Sequence, residues 1–191
     1  LVLGLPLDGC AAALGAARGV KGRIEVVPTP TDYTVLIDYA HTPDALENIL
    51  TTVRDFTPGR VICLFGCGGD RDRTKRPIMG GVVRELADVA VITSDNPRTE
   101  EPWAIIRDIL AGMGGPGGEV HVEPDRKQAI RWALAQGRPG DVIVLAGKGH
   151  ETVQEVQGVS LPLDEREVVA EYFEKRAQYR ERAGNFPAGV V

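Results

Sequence analysis

The sequence predicts an α/β domain of the doubly wound type, and two observations support that prediction. Apolar runs rich in valine and isoleucine recur five times, and they are continuous rather than alternating, as is typical of strands covered on both faces. Amphipathic segments long enough for a helix separate these runs. We therefore expect a mostly parallel sheet of about six strands with an antiparallel edge and helices on both faces.

The predicted elements follow in order along the chain. Residues 1–20 lie outside the repeating pattern and predict a short alanine-rich helix, after which GVKGRIEVVP predicts a linker and an entering strand. Thr42 and Asp125 can cap helix starts. Gly59 and Gly137 stand where helices end. The five runs are YTVLIDYA (33–40), RVICLFGCGG (60–69), DVAVITSDN (88–96), EVHVEP (119–124) and DVIVLAGKGH (141–150), with helices expected at 43–56, 76–86, 102–110 and 126–135.

The carboxyl-terminal part has a different pattern. TVQEVQGVSLPLDEREVVAEYF predicts a two-strand ribbon that turns near Gly158, followed by a helix from Asp164. We expect this ribbon to supply the antiparallel edge. Residues 176–191 predict a loose tail. Because the chain begins in the middle of an element, we also expect it to be a fragment of a longer protein.

Composition and charge argue against several classes of protein. With 43% hydrophobic and 26% charged residues, the 191-residue chain has the composition of one soluble globular domain. A net charge of −5 argues against a nucleic-acid partner, and no apolar run approaches the ~18 residues needed for membrane insertion. Three cysteines make no disulfide framework, and Cys63 and Cys67 lack the second pair or nearby histidine of a zinc site. We expect a cytoplasmic protein without a metal site in this chain.

Four of the predicted strands end in polar clusters. Each cluster alone is ordinary turn chemistry. The carboxyl ends of parallel strands meet at one edge of the sheet, however, and open α/β sheets bind ligands at that edge. The clusters are Asp38–Pro43, Gly66–Arg73, Asp95–Arg98 and Gly147–Glu151, and together they predict a ligand site that combines close backbone approach, guanidinium groups and carboxylates.

Common nucleotide and nucleophile motifs are missing from these clusters. The pair Gly147-Lys148 has Val142 and Gly149 where a P-loop needs glycine and serine or threonine. GCGGDR is not a dinucleotide fingerprint, because its sixth residue is Arg71. No Ser-His-Asp or Cys-His grouping has a recognisable spacing. The residues by themselves therefore indicate half of an active site.

Seven segments in one order resemble the carboxyl-terminal domain of the Mur ligase family, over about residues 22–173. They are GRIEVV, DYAHTPDALENIL, FGCGGDRDRTKRPIMG, TSDNPRTEEP, DRKQAI, GDVIVLAGKGHE and LDEREVV. Within the family they are most similar to the branch that adds meso-diaminopimelate. The resemblance implies that residues 1–20 are the last helix of a central ATPase domain plus a linker, that residues 21–175 form the Rossmann-like closing domain, and that residues 176–191 are a tail.

An activity follows from the resemblance. It implies an ATP-dependent acid–amino-acid ligase of bacterial peptidoglycan-precursor synthesis, and so of cell-wall biogenesis, cell shape and cell division. The enzyme would join meso-diaminopimelate to UDP-N-acetylmuramoyl-L-alanyl-D-glutamate through an acyl phosphate. The full-length enzyme would use ATP and Mg²⁺, with the catalytic residues and Mg²⁺ ligands in the central domain and none in this chain. The resemblance further implies a cytoplasmic monomer, and we expect this chain alone to be inactive.

Site residues are carried over from the family position by position. The resemblance implies that one group contacts the nucleotide and another group binds the amino-acid substrate. The nucleotide group is Arg23, Asp38, His41 and Thr42, and the amino-acid group is Arg71, Asp95, Asn96, Pro97, Arg98, Gly147 and Glu151.

Arg98 decides between two substrates in this interpretation. Once one end of meso-diaminopimelate reacts, a distal carboxylate and ammonium remain, and a guanidinium can bind that carboxylate with two parallel hydrogen bonds. Lysine lacks the distal carboxylate, and its addition by a related enzyme is one alternative. A non-catalytic module that binds an amino acid or a nucleotide is another. A third is a purely structural α/β domain with solvated loops.

Overall fold

A six-stranded sheet lies between two layers of helices in the computed structural model, which describes residues 4–16 and 19–184. The apolar runs form its strands, and three of them are buried along their whole length because helices cover both faces. The strands are β1 Glu25–Val27, β2 Thr34–Asp38, β3 Val61–Phe65, β4 Val89–Ile92, β5 Glu119–Val122 and β6 Val142–Ala146. A separate pair follows, β7 Val153–Val156 and β8 Val159–Pro162.

The strand order is β1-β2-β6-β3-β4-β5, and all pairs are parallel except β1 with β2. This confirms the mostly parallel sheet with one antiparallel edge. The ribbon was expected to supply that edge, and this placement was wrong. The entering strand β1 supplies it, because the short connection to β2 favours antiparallel pairing between neighbours in sequence. The β7–β8 ribbon forms its own two-stranded sheet.

Helices pack on both faces of the sheet around two apolar clusters. On one face, α2, α3 and α4 contribute residues such as Leu46, Met79 and Ile106. On the other face, α5 and α6 contribute residues such as Ile130 and Val168. The helices are α1 Leu7–Ala16, α2 Pro43–Phe56, α3 Lys75–Leu86, α4 Pro102–Leu110, α5 Arg126–Gln136 and α6 Glu165–Gly184.

Several helix ends follow their sequence signals. The Asp125 side chain accepts from the backbone N–H of Gln128 and so caps α5. The loose tail expected from residue 176 is helical as far as Gly184, because the charged stretch that extends α6 is rich in good helix formers. Residues 185–191 of that tail lie outside the described residues. No helix in the described part of the chain is long and apolar enough to cross a membrane.

Candidate functional site

Loops that follow β2, β3, β4 and β6 meet at one edge of the sheet and enclose a cavity of about 230 Å³. β6 lies between β2 and β3, so the loop at Gly147 has the loop after β2 on one side and the loops after β3 and β4 on the other. The sequence predicted this convergence. The cavity is lined by Tyr39, His41, Gly66, Cys67, Gly68, Arg71, Lys75, Asp95, Asn96, Arg98, Gly147 and Glu151.

A buried lysine links two of these loops. The side chain of Lys148 is fully buried, and its Nζ donates to Asn96 Oδ1 at 3.0 Å and to Glu151 Oε2 at 2.9 Å. Asn96 Nδ2 also donates to Glu151 Oε2, at 2.9 Å. The three side chains therefore fix one another, and the acceptor end of the Asn96 amide is already used within the protein.

Glu151 remains charged in this environment. Burial by itself raises the pKa of Glu151, but the hydrogen bonds from Asn96 and Lys148 outweigh burial and hold that pKa below its usual value. A carboxylate in the cavity wall, with Oε2 occupied by two donors, leaves Oε1 for a cationic group of a ligand.

Gly147 allows two loops to approach closely. Its φ is +110°, and a Cβ at this position would lie 2.6 Å from Asp95 Oδ2. Asp95 is itself buried, and its Oδ1 accepts from the backbone N–H of Asn96 at 2.6 Å. A side chain at residue 147 would therefore displace the carboxylate of Asp95.

Arg98 reaches the cavity from a backbone with a φ of +53°, a region that non-glycine residues rarely adopt. Its Nε pairs with Glu155 Oε2 at 2.9 Å, and its Nη1 donates to the carbonyl of Gly69 at 2.9 Å. Arg71 lies on the opposite loop, exposed, with its Nη1 donating to the carbonyl of Asp70 at 3.0 Å. Two guanidinium groups thus line a cavity that also holds two carboxylates.

Beneath the cavity, a second buried cation holds the strand ends in place. Arg126 at the start of α5 is almost fully buried, and its Nη2 donates to the carbonyl of Ala146 at 2.7 Å. Its Nη1 donates to the carbonyl of Ser94 at 3.2 Å, and its Nε donates to Glu165 Oε1 at 2.9 Å. Because Ser94 and Ala146 directly precede the two loops, this contact sets their starting positions.

The residues predicted to contact a nucleotide lie at one side of the cavity. Arg23 is exposed, with its guanidinium carbon 5.8 Å from the centre of the Tyr39 ring. Asp38 accepts from the backbone N–H groups of Ile24 and Ala40, both at 2.8 Å. Asp38 thus fixes the turn that carries Arg23.

His41 and Thr42 complete this side. His41 lines the cavity, and its Nδ1 lies 2.8 Å from the carbonyl of Tyr39. Thr42 caps α2, because its hydroxyl accepts from the backbone N–H of Ala45 at 3.3 Å.

A model of the family "Mur ligase, glutamate ligase domain" matches residues 22–149. The chain belongs to the Mur ligase family. This match covers β1 to β6 and ends within the loop that carries Lys148.

Three similar proteins carry the same name. The UDP-N-acetylmuramoyl-L-alanyl-D-glutamate--2,6-diaminopimelate ligase of Chromobacterium violaceum is 51% identical over 172 residues, which are 89% of this chain and 34% of that protein. The ligase of the same name from Nostoc sp. is 54% identical over 169 residues, 87% of this chain and 34% of the relative. A solved structure of a ligase of this name superposes with a TM-score of 0.79 at 37% identity, covering 92% of this chain and 36% of that one. This Mur ligase chain therefore spans about a third of the length of these relatives.

Most of the predicted amino-acid group lines the cavity of this Mur ligase domain. The exception is Pro97, which is buried outside the lining, where its carbonyl accepts from the backbone N–H of Glu100 at 3.0 Å. Cys67 lines the cavity, but burial raises the pKa of its thiol to about 12, so it is no nucleophile. Within residues 4–16 and 19–184, no group of His, Cys, Asp and Glu is arranged to hold a metal ion.

Sequence reasoning missed three residues that shape this Mur ligase site. Lys148 was considered only in the pair Gly147-Lys148, and its burial against Asn96, 52 residues away, gave no local signal. Glu155 and Arg126 gave no local signal, since their partners Arg98 and Glu165 are distant in sequence.

Proposed function

We propose that this chain is the amino-acid-selecting domain of an ATP-dependent ligase that adds meso-diaminopimelate to UDP-N-acetylmuramoyl-L-alanyl-D-glutamate. The observation that carries the proposal is the presence of opposite charges in one cavity, which Arg98 and Arg71 line together with Glu151 and Asp95. The relatives, each called a 2,6-diaminopimelate ligase, support it. Such an enzyme acts in the bacterial cytoplasm, as a monomer, in the synthesis of peptidoglycan precursors.

The distal end of meso-diaminopimelate is a zwitterion, and the cavity offers a partner for each charge. Arg98 binds the distal carboxylate, with Arg71 as a second cation. Glu151 and the carbonyl of Gly147 bind the distal ammonium. Lysine leaves the end-on fork of Arg98 without a ligand carboxylate, and these unmet donors on a partly buried guanidinium make lysine the poorer ligand.

The other side of the cavity faces the nucleotide in this proposal. Arg23 and His41 present side chains that can contact phosphate or ribose, whereas Asp38 and Thr42 hold the backbone that places them. ATP supplies the phosphoryl group that activates the acceptor carboxylate as an acyl phosphate, which the amine of the amino acid then attacks. The ATPase machinery and the Mg²⁺ ligands belong to a preceding domain, of which residues 1–20 are the last helix and linker. Residues 21–175 are the closing domain.

Ligand binding is the first test. We expect NMR titration of this chain with meso-diaminopimelate to shift signals of the cavity loops, and L-lysine to bind more weakly. Arg98→Ala should abolish the preference, whereas Arg107→Ala, an exposed arginine of α4, is the matched control and should change nothing. Equal binding of both ligands by the unaltered chain would mean that Arg98 does not discriminate.

Amide formation is the second test. A chimera carries this chain in place of the matching third of the Chromobacterium violaceum ligase, and we expect it to add meso-diaminopimelate. Arg98→Ala should lower its kcat/KM by about 2–4 kcal/mol of transition-state stabilisation, because a charged pairing is lost. A change of less than about threefold would contradict the role of Arg98. This chain alone should show no turnover.

A further inference from the structure

The β7–β8 ribbon holds the unusual backbone of Arg98 from both sides. The N–H of Arg98 donates to the carbonyl of Glu155 at 3.0 Å, and the N–H of Gln157 donates to the carbonyl of Arg98 at 2.7 Å. Arg98 and Val156 thereby form an isolated parallel bridge. A left-handed, non-glycine residue persists where its surroundings fix it, and here the ribbon fixes it.

Further contacts extend the hold of the ribbon along the same loop. Gln154 Nε2 donates to the carbonyl of Asp95 at 2.6 Å. The N–H of Glu155 donates to Asn96 Oδ1 at 3.0 Å. A two-stranded ribbon is only marginally stable alone. The contacts between the ribbon and this loop therefore stabilise both of them.

Two groups hold the guanidinium of Arg98, and a glycine leaves room for it. Glu155 Oε2 lies 2.9 Å from Nε in an ion pair, and the carbonyl of Gly69 accepts a hydrogen bond from Nη1. Gly68 leaves the room, because a Cβ there would lie only 2.9 Å from Nη1. Among the described residues, Nη2 has no hydrogen-bond partner. With Glu155 beside Nε and one hydrogen of Nη1 donated to Gly69, the second hydrogen of Nη1 and the hydrogens of Nη2 form an end-on fork that remains for a carboxylate.

We propose that Glu155 is a positioning residue that aims the end-on fork of Arg98 into the cavity and so sets the selectivity for a distal carboxylate. This inference rests on the proposed function. Glu155 does not compete with the ligand, because it lies beside Nε whereas a bound carboxylate would lie at the end-on fork. The Glu155 side chain is 48% exposed, so a neutral replacement leaves the core untouched.

The test compares Glu155→Gln with Glu119→Gln, the same chemical change on the far edge strand β5. In NMR titrations of the chain, we expect Glu155→Gln to weaken meso-diaminopimelate binding about fivefold and to leave lysine binding unchanged. In an Arg98→Ala background, the same change should have no effect. Glu155→Asp should recover part of the affinity, which a purely structural defect would not allow. Unchanged or tighter binding by Glu155→Gln would overturn the inference.

A ligand-independent measurement separates failure of this inference from failure of the proposed function. The Nε–H signal of Arg98 should move in Glu155→Gln, while that of Arg71, whose Nη1 contacts only its own loop, should stay in place. If the unaltered chain binds no diaminopimelate, the proposed function fails. The Arg98 signal then still decides whether Glu155 positions the guanidinium, because an unmoved signal excludes that role.

Discussion

The two sides of the cavity are built differently. On one side, which we call the wall (Asp95, Asn96, Arg98, Gly147 and Glu151), side chains bond to groups on other loops or lie in tight contact with them. On the other side, which we call the rim (Arg23, Asp38, His41 and Thr42), the side chains that form hydrogen bonds do so with backbone atoms of the same segments that carry this group. A wall fixed across loops can discriminate between ligands, because a poorly matched ligand leaves fixed charges unpaired. The rim instead positions exposed side chains where a ligand can contact them.

The difference predicts where substitutions destabilise the fold. Wall residues depend on buried charges that lose their partners when one member is removed, which is costly. Rim residues depend on one or two hydrogen bonds near the surface, and each of these contributes little. The predictions below run from the largest expected effect to the smallest.

Arg126→Met should destabilise the chain by about 3–5 kcal/mol, because Glu165 would be left as a fully buried carboxylate without its partner. The loop that starts after Ala146 would also lose its anchor. Arg131→Met is the control on the same helix. Its pair with Glu171 is partly exposed and 3.5 Å long, so we expect less than about 1 kcal/mol. Urea unfolding followed by circular dichroism measures both.

A second substitution tests the mechanism of the Arg126 effect. If the loss comes from an uncompensated charge, replacing Glu165 with leucine in the Arg126→Met background should restore much of the stability. Equal urea midpoints for Arg126→Met and Arg131→Met would show that the fold depends no more on the buried Arg126 than on a partly exposed arginine of the same helix.

Lys148→Met should cost about 1–3 kcal/mol at pH 7, and the loss should depend on pH. The pKa of Glu151 lies below its usual value, so its contacts stabilise the fold above the unfolded pKa of ~4.3 and less as pH falls through the folded pKa. Without Lys148 the pKa of Glu151 should rise, and the penalty should shrink in acid. Unfolding at pH 7 and pH 4, with Lys127→Met as control, checks this. A penalty independent of pH would mean that packing, not charge, is lost.

The positions of the wall residues followed from the sequence, but their connections did not. Glycine, proline and charged residues after apolar strands predicted which loops would meet, since strand ends share one edge. That Arg98 has a left-handed backbone depends on the ribbon, whose contacting residues follow it by more than 50 positions. The burial of Lys148 depends likewise on Asn96, 52 residues away. Local patterns carry no information on such pairings.

Thr42→Ala should destabilise the chain by about 1 kcal/mol, the usual effect of losing a helix N-cap. Thr42→Ser keeps the hydroxyl and should be close to neutral. Thermal unfolding of the two variants tests the capping role. If Thr42→Ser were as unstable as Thr42→Ala, the methyl group rather than the cap would be what matters.

Arg23→Ala should change stability least, by about 0.5 kcal/mol, since it removes one exposed cation–π contact with Tyr39. Arg23→Lys keeps the cation and serves as its control. In the chimeric ligase, however, we expect Arg23→Ala to raise the KM for ATP severalfold while leaving that for meso-diaminopimelate unchanged. Such a result would show that Arg23 contributes little to the stability of the fold and much to the binding of one substrate. An Arg23→Ala chain destabilised by more than about 1.5 kcal/mol would instead make Arg23 part of the structure, and the division between wall and rim would fail there.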